Sequence, residues 1–424
     1  MSPSFRFEQW LAHVRRHSKY YQKHWQHLPA QGCTFEDLPI VDANDYWSGS
    51  HDLDTWEVLT GPVTDALIYK TGGTTSQGKL SVYTHGEWQR MLDGFAGSLS
   101  AQLETGDRIA NLFFSGDLYA SFLFIHGALC QVDLPITEFP FTGSIDPDVL
   151  ADAVNAHRIN VLAGVPAHLL AIASHLGRQG RTLPGITAVL FGGEHLFERQ
   201  LPMLRQAFPQ ARFASIGYAS VDAGLVGASA ADCLLGEHRV FDEQTRLEIV
   251  DEVSGEVIEA CDRPGNLVVT NFTRTLMPMV RYPVGDRACW REPVGTPRRK
   301  FELAGRSAQS QRVRVGVVSL FPQRISEIIH SLGGELQWQL IIEPVENNDR
   351  VVLKWVPEKP SSICGSLSQA LELALIQQHP GIDQLVLHVQ ACQAQDLERH
   401  PRSGKHLQIV DRRGYGPMVA RHAR

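Results

Sequence analysis

Ile159-Asn160-Val161-Leu162-Ala163-Gly164, the segment Ala167 to Leu176, and Ile186-Thr187-Ala188-Val189-Leu190-Phe191 together decide the fold. The two short runs are apolar almost throughout rather than alternating, as expected of strands covered on both faces. The segment between them reads as a helix. The same alternation extends outward. Arg108–Phe114 reads as a strand and Leu118–Leu129 as a buried helix, while Phe197–Phe208 reads as a helix and Phe213–Gly217 as a strand. Strands alternating with helices of this length predict βαβ units and a parallel sheet.

Upstream, Phe7, Trp10, Leu11 and Val14 have the spacing of one buried helix face. Residues 28–60 read as an irregular connector, and Ala66–Tyr69 as a short strand. After residue 235 the pattern changes. Leu247–Val250, the turn Glu252–Gly255 and Asn266–Asn271 predict hairpins and an antiparallel sheet. Beyond Gly305, strands are expected near Val313–Val318, Leu340–Glu343 and Val351–Val356, and helices near Gln323–Leu332 and Leu367–His379. The expected fold class is α/β. A large N-terminal domain, residues 1–304, combines parallel sheets layered with helices and an antiparallel sheet. Residues 305–424 form a small α+β domain.

The 424 residues suffice for two or three structural units, and 43% hydrophobic with 20% charged residues excludes extensive disorder. With 39 Lys and Arg against 46 Asp and Glu the net charge is −7, which argues against a non-specific nucleic-acid binder. The longest apolar runs fall far short of the ~20 residues of a membrane helix, so neither nucleic acid nor membrane is expected as a partner. No apolar run follows Met1–Arg6, so no signal peptide is expected. Seven cysteines without a CxxC predict free thiols in a reducing cytoplasm. Cys233, His238, Cys261 and Cys289 raise the question of zinc, although Cys-x4-His is loose and the other two lie far along the chain. No HExxH, GxSxG or EF-hand pattern occurs, which disfavours metalloproteases, nucleophile-elbow esterases and calcium modules.

Thr71-Gly72-Gly73-Thr74-Thr75-Ser76-Gln77-Gly78-Lys79 packs three glycines, four hydroxyls and a lysine into nine residues. Glycines let backbone N–H groups approach an anion, hydroxyls donate to phosphate oxygens, and lysine adds charge. A plain surface loop is the bland alternative. Gly73-x4-Gly78-Lys79 nearly satisfies a Walker A pattern, but Leu80 cannot ligate Mg2+ and Ser81-Val82-Tyr83 continues extended. The next helix begins where Thr84 and Glu87 have capping-box spacing. A P-loop NTPase is therefore disfavoured and stays as an alternative.

This loop resembles the Ser-Ser-Gly-Thr-Thr-Gly-x-Pro-Lys signature of adenylate-forming enzymes, the acyl/aryl-CoA ligase superfamily. Thr71, Gly73, Thr74, Thr75 and Lys79 match it, while Ser76 replaces a glycine and Gly78 the proline. Further motifs follow in order. Gly192-Gly193-Glu194 resembles the family's adenine-pocket turn. Tyr218-Ala219-Ser220-Val221-Asp222 resembles Tyr-Gly-x-Thr-Glu, whose tyrosine stacks on adenine, whose fourth residue touches the α-phosphate and whose acid reaches Mg2+. Here Ala219, Val221 and Asp222 depart. Arg281-Tyr282-Pro283-Val284-Gly285-Asp286 resembles the segment whose aspartate holds the ribose hydroxyls. Gly305-Arg306-Ser307 resembles the hinge, with Ala308, Gln309 and Ser310 where the family usually has Asp or Lys. Pro401-Arg402-Ser403-Gly404-Lys405 resembles the loop carrying the catalytic lysine. Phe35–Pro39, and Cys233 to His238 ahead of Glu248-Ile249-Val250, are similar to the phenylacetate–CoA ligase-like branch. The Tyr-Ala-Ser-Val-Asp variant looks like EhpF-type proteins of phenazine antibiotic biosynthesis.

The resemblance implies ATP and Mg2+, a mobile small domain, and an aryl carboxylic acid activated to an acyl-adenylate with release of pyrophosphate. Its site residues here would be Thr71, Gly72, Gly73, Thr74, Thr75, Ser76, Lys79, Gly192, Gly193, Glu194, Tyr218, Ala219, Ser220, Asp286 and Arg306 for the nucleotide, Asp222 for the metal, and Lys405 with Asp222 for catalysis. The acyl group would pass to CoA or a pantetheine thiol, through a carrier protein, or to a reductase. Two other readings stay open: a weak homologue presenting an adenylate to a tailoring partner, and a non-catalytic nucleotide-binding protein. Phe113, Phe114, Tyr119, Phe122, Phe124 and His126 line either an aromatic pocket or the core. Monomer and homodimer both remain open.

Overall fold

The computed structural model describes residues 3–29, 33–70, 79–116, 118–307, 313–316, 318–333, 337–346, 348–357, 364–378, 385–393, 396–398 and 407–413. The glycine- and threonine-rich residues 71–78, the hinge positions 308–310 and Lys405 lie outside them. The chain divides into two compact units. The first draws on Met1–Glu248, Val268–Val284 and Arg291–Glu302, and the second on Ile249–Leu267, Gly285–Trp290 and Leu303–Arg424.

The first unit begins with α1 (Pro3–His17), α2 (Lys19–His24) and α3 (Ala43–Trp47), followed by the hairpin strands β1 (Ala66–Lys70) and β2 (Leu80–Thr84) and by α4 (His85–Ser100). Strands and helices then alternate: β3 (Arg108–Asn111), α5 (Ser121–Leu129), β4 (Thr137–Phe139), α6 (Pro147–His157), β5 (Val161–Gly164), α7 (Pro166–Arg178), β6 (Ala188–Phe191), α8 (Leu201–Ala207) and β7 (Arg212–Ser215). The five strands form a sheet in the order β4-β3-β5-β6-β7, parallel throughout. Side chains alternate across it. Val161, Ala163, Ala188 and Leu190 face a core shared with Phe95, Leu99, Phe124 and Ile125 of α4 and α5. Leu162, Val189 and Phe191 face Leu150, Leu169, Ile172 and Leu204 of α6, α7 and α8. Each fully buried large aliphatic side chain stabilises the unit by about 1.5–3 kcal/mol. The order reverses between β3 and β5. In open α/β sheets such a switch point, at the carboxyl ends of the strands, is where ligands bind.

The chain next enters a second sheet through β8 (Tyr218–Ser220), β9 (Gly224–Ala228), β10 (Glu237–Val240), β11 (Thr245–Val250), β12 (Gly265–Asn271), β13 (Met279–Trp290) and β14 (Lys300–Arg306). Its order is β11-β12-β13-β14-β10-β9-β8. The second unit adds the hairpin β15 (Val313–Val315) and β16 (Val318–Leu320), then α9 (Pro322–Gly333), β17 (Trp338–Val345), β18 (Asn348–Trp355), α10 (Cys364–Gln378), β19 (Val386–Ala391) and β20 (Ile409–Asp411). Its sheet runs β19-β18-β17-β20 over a core including Ile325, Ile328, Leu353, Trp355 and Leu371. Among the described residues no helix is long and apolar enough to cross a membrane, and the described cysteines whose side chains are placed are free thiols.

Three sequence expectations shift. The strand expected over Phe213–Gly217 is two: β7 ends at Ser215, Gly217 turns with φ +132°, and Tyr218 opens β8. The helix expected from Phe197 starts with a 3-10 turn at Glu198–Gln200 before α8, where Pro202 lacks the N–H an interior helical position needs. The connector 28–60 contains α3, capped by Asp42, and its Tyr46, Trp47 and Trp56 pack with Trp10, Tyr21 and Trp25 into an aromatic core.

Candidate functional site

Several of the residues singled out by sequence lie in the first unit, and one of their segments, Tyr218–Asp222, packs against β2. Gly192-Gly193-Glu194 leaves the carboxyl end of β6. A Cβ at Gly192 would lie 2.6 Å from Ile216, and Gly193 has φ +78°, so both positions favour glycine. Glu194 turns back, its Oε2 accepting from the Ala167 N–H at 3.3 Å in the first turn of α7. An acceptor there suits the positive end of the helix dipole.

Tyr218, Ala219 and Ser220 form the half-buried β8. The Tyr218 ring lies 6.0 Å from His238 and 6.3 Å from Phe301, centroid to centroid. His238 is buried, with Nε2 3.1 Å from the Ser215 hydroxyl. Burial, with a contribution from His195, pushes its pKa down to about 4, so it is neutral at pH 7.

Beyond β8 the Val221-Asp222 backbone is clamped. The Val221 carbonyl accepts from Ser81 Oγ at 2.6 Å and from Tyr83 Oη at 2.7 Å. The Asp222 carbonyl accepts from Arg274 Nη1 at 2.8 Å, and Arg274 Nη2 donates to the Val82 carbonyl at 2.7 Å. The Arg274 guanidinium stacks 3.6 Å from the Tyr83 ring centroid. Asn271 Nδ2 holds the Ala223 carbonyl at 2.9 Å, and a Cβ at Gly224 (φ +77°) would lie 2.4 Å from that nitrogen. The Asp222 carboxylate accepts from the Ala223 N–H at 3.1 Å and from Tyr282 Oη at 3.4 Å, while Trp47 Nε1 donates to the Tyr282 oxygen at 2.9 Å. A half-buried carboxylate oriented by these donors has the chemistry of a hard-cation ligand, so the residues fit Mg2+.

The clamp holds β2, the strand that follows the glycine- and threonine-rich segment in sequence. β1 and β2 are antiparallel, with Lys70 opposite Leu80, and residues 71–78 between them in sequence lie outside the described residues. Lys79 lies with Nζ 5.3 Å from the Trp47 ring centroid. Sequence reasoning missed Arg274 and Glu87 as partners in this network. Glu87 caps α4, exchanging bonds of 3.1 and 2.9 Å with Thr84, and it also accepts from the N–H groups of Thr275 and Leu276. Burial pushes its carboxyl up, but the Arg274 charge and these donors outweigh it and hold the pKa below the ordinary value. The signal that Arg274 needs partners was available: an arginine three residues before an apolar Met277-Pro278-Met279-Val280 run must find buried acceptors, although the sequence does not say which.

The remaining residues belong to the second unit. Asp286 lies on β13, and Arg306 ends β14. The Ser307 N–H donates to the Gly285 carbonyl at 3.0 Å, joining these two segments. Of the aromatic segment, Phe113 and Phe124 are core, Phe114 and Phe122 are partly buried against it, and His126 is exposed. Of the residues raised for zinc, Cys233 is half-buried and His238 is buried on β10 in the first unit, whereas Cys261 and Cys289 lie in the second.

Residues 30–277, more than half of the chain, match the AMP-binding enzyme family. The chain belongs to that family. Among curated proteins, this AMP-binding enzyme is similar to the indoleacetate–lysine synthetase of Pseudomonas savastanoi, with 27% identity over 139 residues. That match takes in 32% of the chain and 31% of the synthetase, so it spans about a third of the relative's length. The fold is similar to that of a 2-hydroxyisobutyryl-CoA ligase solved with 2-HIB-AMP and CoA, with TM-score 0.72, 17% identity, and coverage of 97% of this chain and 89% of that one. It is also similar to the amide bond synthetase McbA of Marinactinospora thermotolerans, with TM-score 0.52, 14% identity, and coverage of 80% and 67%.

Proposed function

We propose that this AMP-binding enzyme uses ATP to activate an aryl carboxylic acid as an acyl-adenylate, releasing pyrophosphate, and passes the acyl group to a thiol. The observation carrying this reading is the network joining β2, which follows the phosphate-type loop, to the Val221-Asp222 backbone. A carboxylate is already a nucleophile at neutral pH, but it and the α-phosphate are both anionic. Catalysis therefore requires positioning and cations. Thr71–Ser76 and Lys79 would hold the phosphates, and Gly192–Glu194 and Tyr218–Ser220 the adenine. Asp286 would hold the ribose, and Arg306 would lie at the hinge. Asp222 would hold Mg2+, directly or through water, and the ion would supply charge neutralisation at the phosphates. Lys405 would neutralise charge developing at the α-phosphate.

The arylacetate named for the Pseudomonas relative supports an aryl acid and the phenylacetate–CoA ligase-like branch, within which an EhpF-type role in phenazine antibiotic biosynthesis is the narrowest form of the proposal. CoA or a carrier-bound pantetheine is the proposed acceptor, in a cytoplasmic setting. Val221 favours a second reading. Its side chain packs against the core and supplies no hydroxyl to the α-phosphate, which suits a slow enzyme that hands an adenylate to a reductase or other partner.

The test is exchange of labelled pyrophosphate into ATP across a panel of aryl and arylacetic acids. Acid-dependent exchange is expected. ATP binding without exchange for any acid would refute adenylation and favour the non-catalytic alternative.

A further inference from the structure

We propose that His126, Cys130 and Glu138 form a site for one divalent ion of the zinc class. His126 and Cys130 lie four residues apart on α5 and its C-cap, so they share a face. Glu138 projects from the middle of β4, at the end of the parallel sheet. The three side chains offer a sulfur, a nitrogen and an oxygen within 4.8 Å of one another. This mixed donor set suits a borderline-soft ion and differs from the all-oxygen shell that Mg2+ or Ca2+ takes.

The distances are near those required. Cys130 Sγ is 3.9 Å from His126 Nε2, the nitrogen that would bind the ion, while His126 Nδ1 is 2.7 Å from Glu138 Oε2, a contact that orients the ring and from which the carboxylate must turn to reach the ion itself. Zinc bonds of about 2.0–2.1 Å to nitrogen and about 2.3 Å to sulfur place tetrahedral N and S donors about 3.5 Å apart. Shifts of exposed side chains cover that difference, with water completing the shell. The carboxylate is anchored: Glu138 Oε1 accepts from Asn111 Nδ2 at 2.8 Å, and Asn111 is fully buried on β3, its own Oδ1 accepting from the Phe113 N–H. Partners of this kind orient metal ligands. A cysteine thiol gives up its proton when it binds such an ion. Binding then releases that proton to solvent and leaves the shell formally neutral. The bland alternative is a surface His126–Glu138 hydrogen bond that contributes little, with Cys130 incidental.

The full-length protein, stripped with a chelator, is titrated with Co2+ and then Zn2+ and followed by absorbance and calorimetry. One equivalent is expected, with a thiolate-to-cobalt charge-transfer band. Cys130→Ser should abolish the band and weaken Zn2+ binding about 100-fold or more, and Glu138→Gln should weaken it about 10–100-fold. Cys130 is exposed and Glu138→Gln keeps an acceptor for Asn111, and circular dichroism checks that both variants fold. No thiolate band in the wild type, or a band that survives Cys130→Ser, would overturn the assignment. The second result would place the ion on another cysteine.

Discussion

Arg274→Met tests whether the clamp on Val221-Asp222 is what organises the proposed nucleotide site. Arg274 is 1% exposed and bridges two otherwise separate backbone segments, through the Asp222 and Val82 carbonyls at 2.8 and 2.7 Å. Each charge-assisted bond is worth about 1.5–3 kcal/mol, and a desolvated cation over an aromatic ring adds about 2. Methionine keeps much of the volume but donates nothing, leaving two carbonyls without this donor and Glu87 without the Arg274 charge that favours its ionised form. Allowing for non-additivity, local stability should fall by about 3–5 kcal/mol. Amide exchange resolved over residues 80–84 and 221–225 is the assay, because a chain of two compact units need not unfold in one step. Those amides should lose protection by that amount while β5 and β6 change little. Acid-dependent pyrophosphate exchange should drop at least tenfold. Arg274→Lys, with a point charge that cannot span both carbonyls as the fork does, should fall between. Protection within about 0.5 kcal/mol of wild type would refute the clamp.

Other expectations follow from single residues. Glu87 has a pKa held below its ordinary 4.5, so the stability it contributes is present above that value and lost as pH falls through the depressed one; Glu87→Gln should flatten the acid limb of a stability–pH profile, and an unchanged limb would contradict this. Gly224→Ala should destabilise the β8–β9 turn by about 1–3 kcal/mol, since φ is +77° and the new Cβ would meet Asn271 Nδ2 at 2.4 Å; thermal denaturation reads this directly. Asp286→Ala should weaken ATP binding by about 1.5–3 kcal/mol per lost bond with the fold intact, and calorimetry showing unchanged affinity would remove it from the ribose role. Lys405→Ala should slow adenylate formation about 10²-fold or more while leaving consumption of supplied acyl-adenylate near wild-type rate; equal impairment of both steps would rule out the proposed role.

The parallel sheet was legible because strands buried on both faces are written as unbroken apolar runs, as in Val161–Gly164 and Ala188–Phe191. The cap of α4 was legible because Thr84 and Glu87 carry a local pattern. What escaped was set by partners far along the chain. Nothing near Arg274 announces that its guanidinium reaches Ser81, Val82 and Asp222, and nothing near Val221 announces that its carbonyl, rather than its side chain, is the contact with Tyr83. The break at Gly217 was hidden because Phe213-Ala214-Ser215-Ile216-Gly217-Tyr218 has strand-like residues on both sides of the turn. The pairing of His126 and Cys130 with Glu138 depends on β3 and β4 lying side by side, a tertiary fact.

The turn at Gly217 also bears on how this enzyme can be recombined with its relatives. The chain leaves one sheet at Ser215 and enters the other at Tyr218, and a Cβ at Gly217 would come within 2.8 Å of the Phe95 ring and 2.9 Å of the Gly227 carbonyl. A chimera joined there must inherit α4, β9 and the turn from one parent, because the three surfaces are fitted to one another. Junctions in the exposed turn around Ser254-Gly255, where a Cβ on the glycine would meet nothing within 4 Å, carry no such linkage. Modules are therefore expected to exchange as blocks that keep residues 85–228 together, so that evolution of the region at the β3–β5 switch point proceeds without disturbing the register of Tyr218.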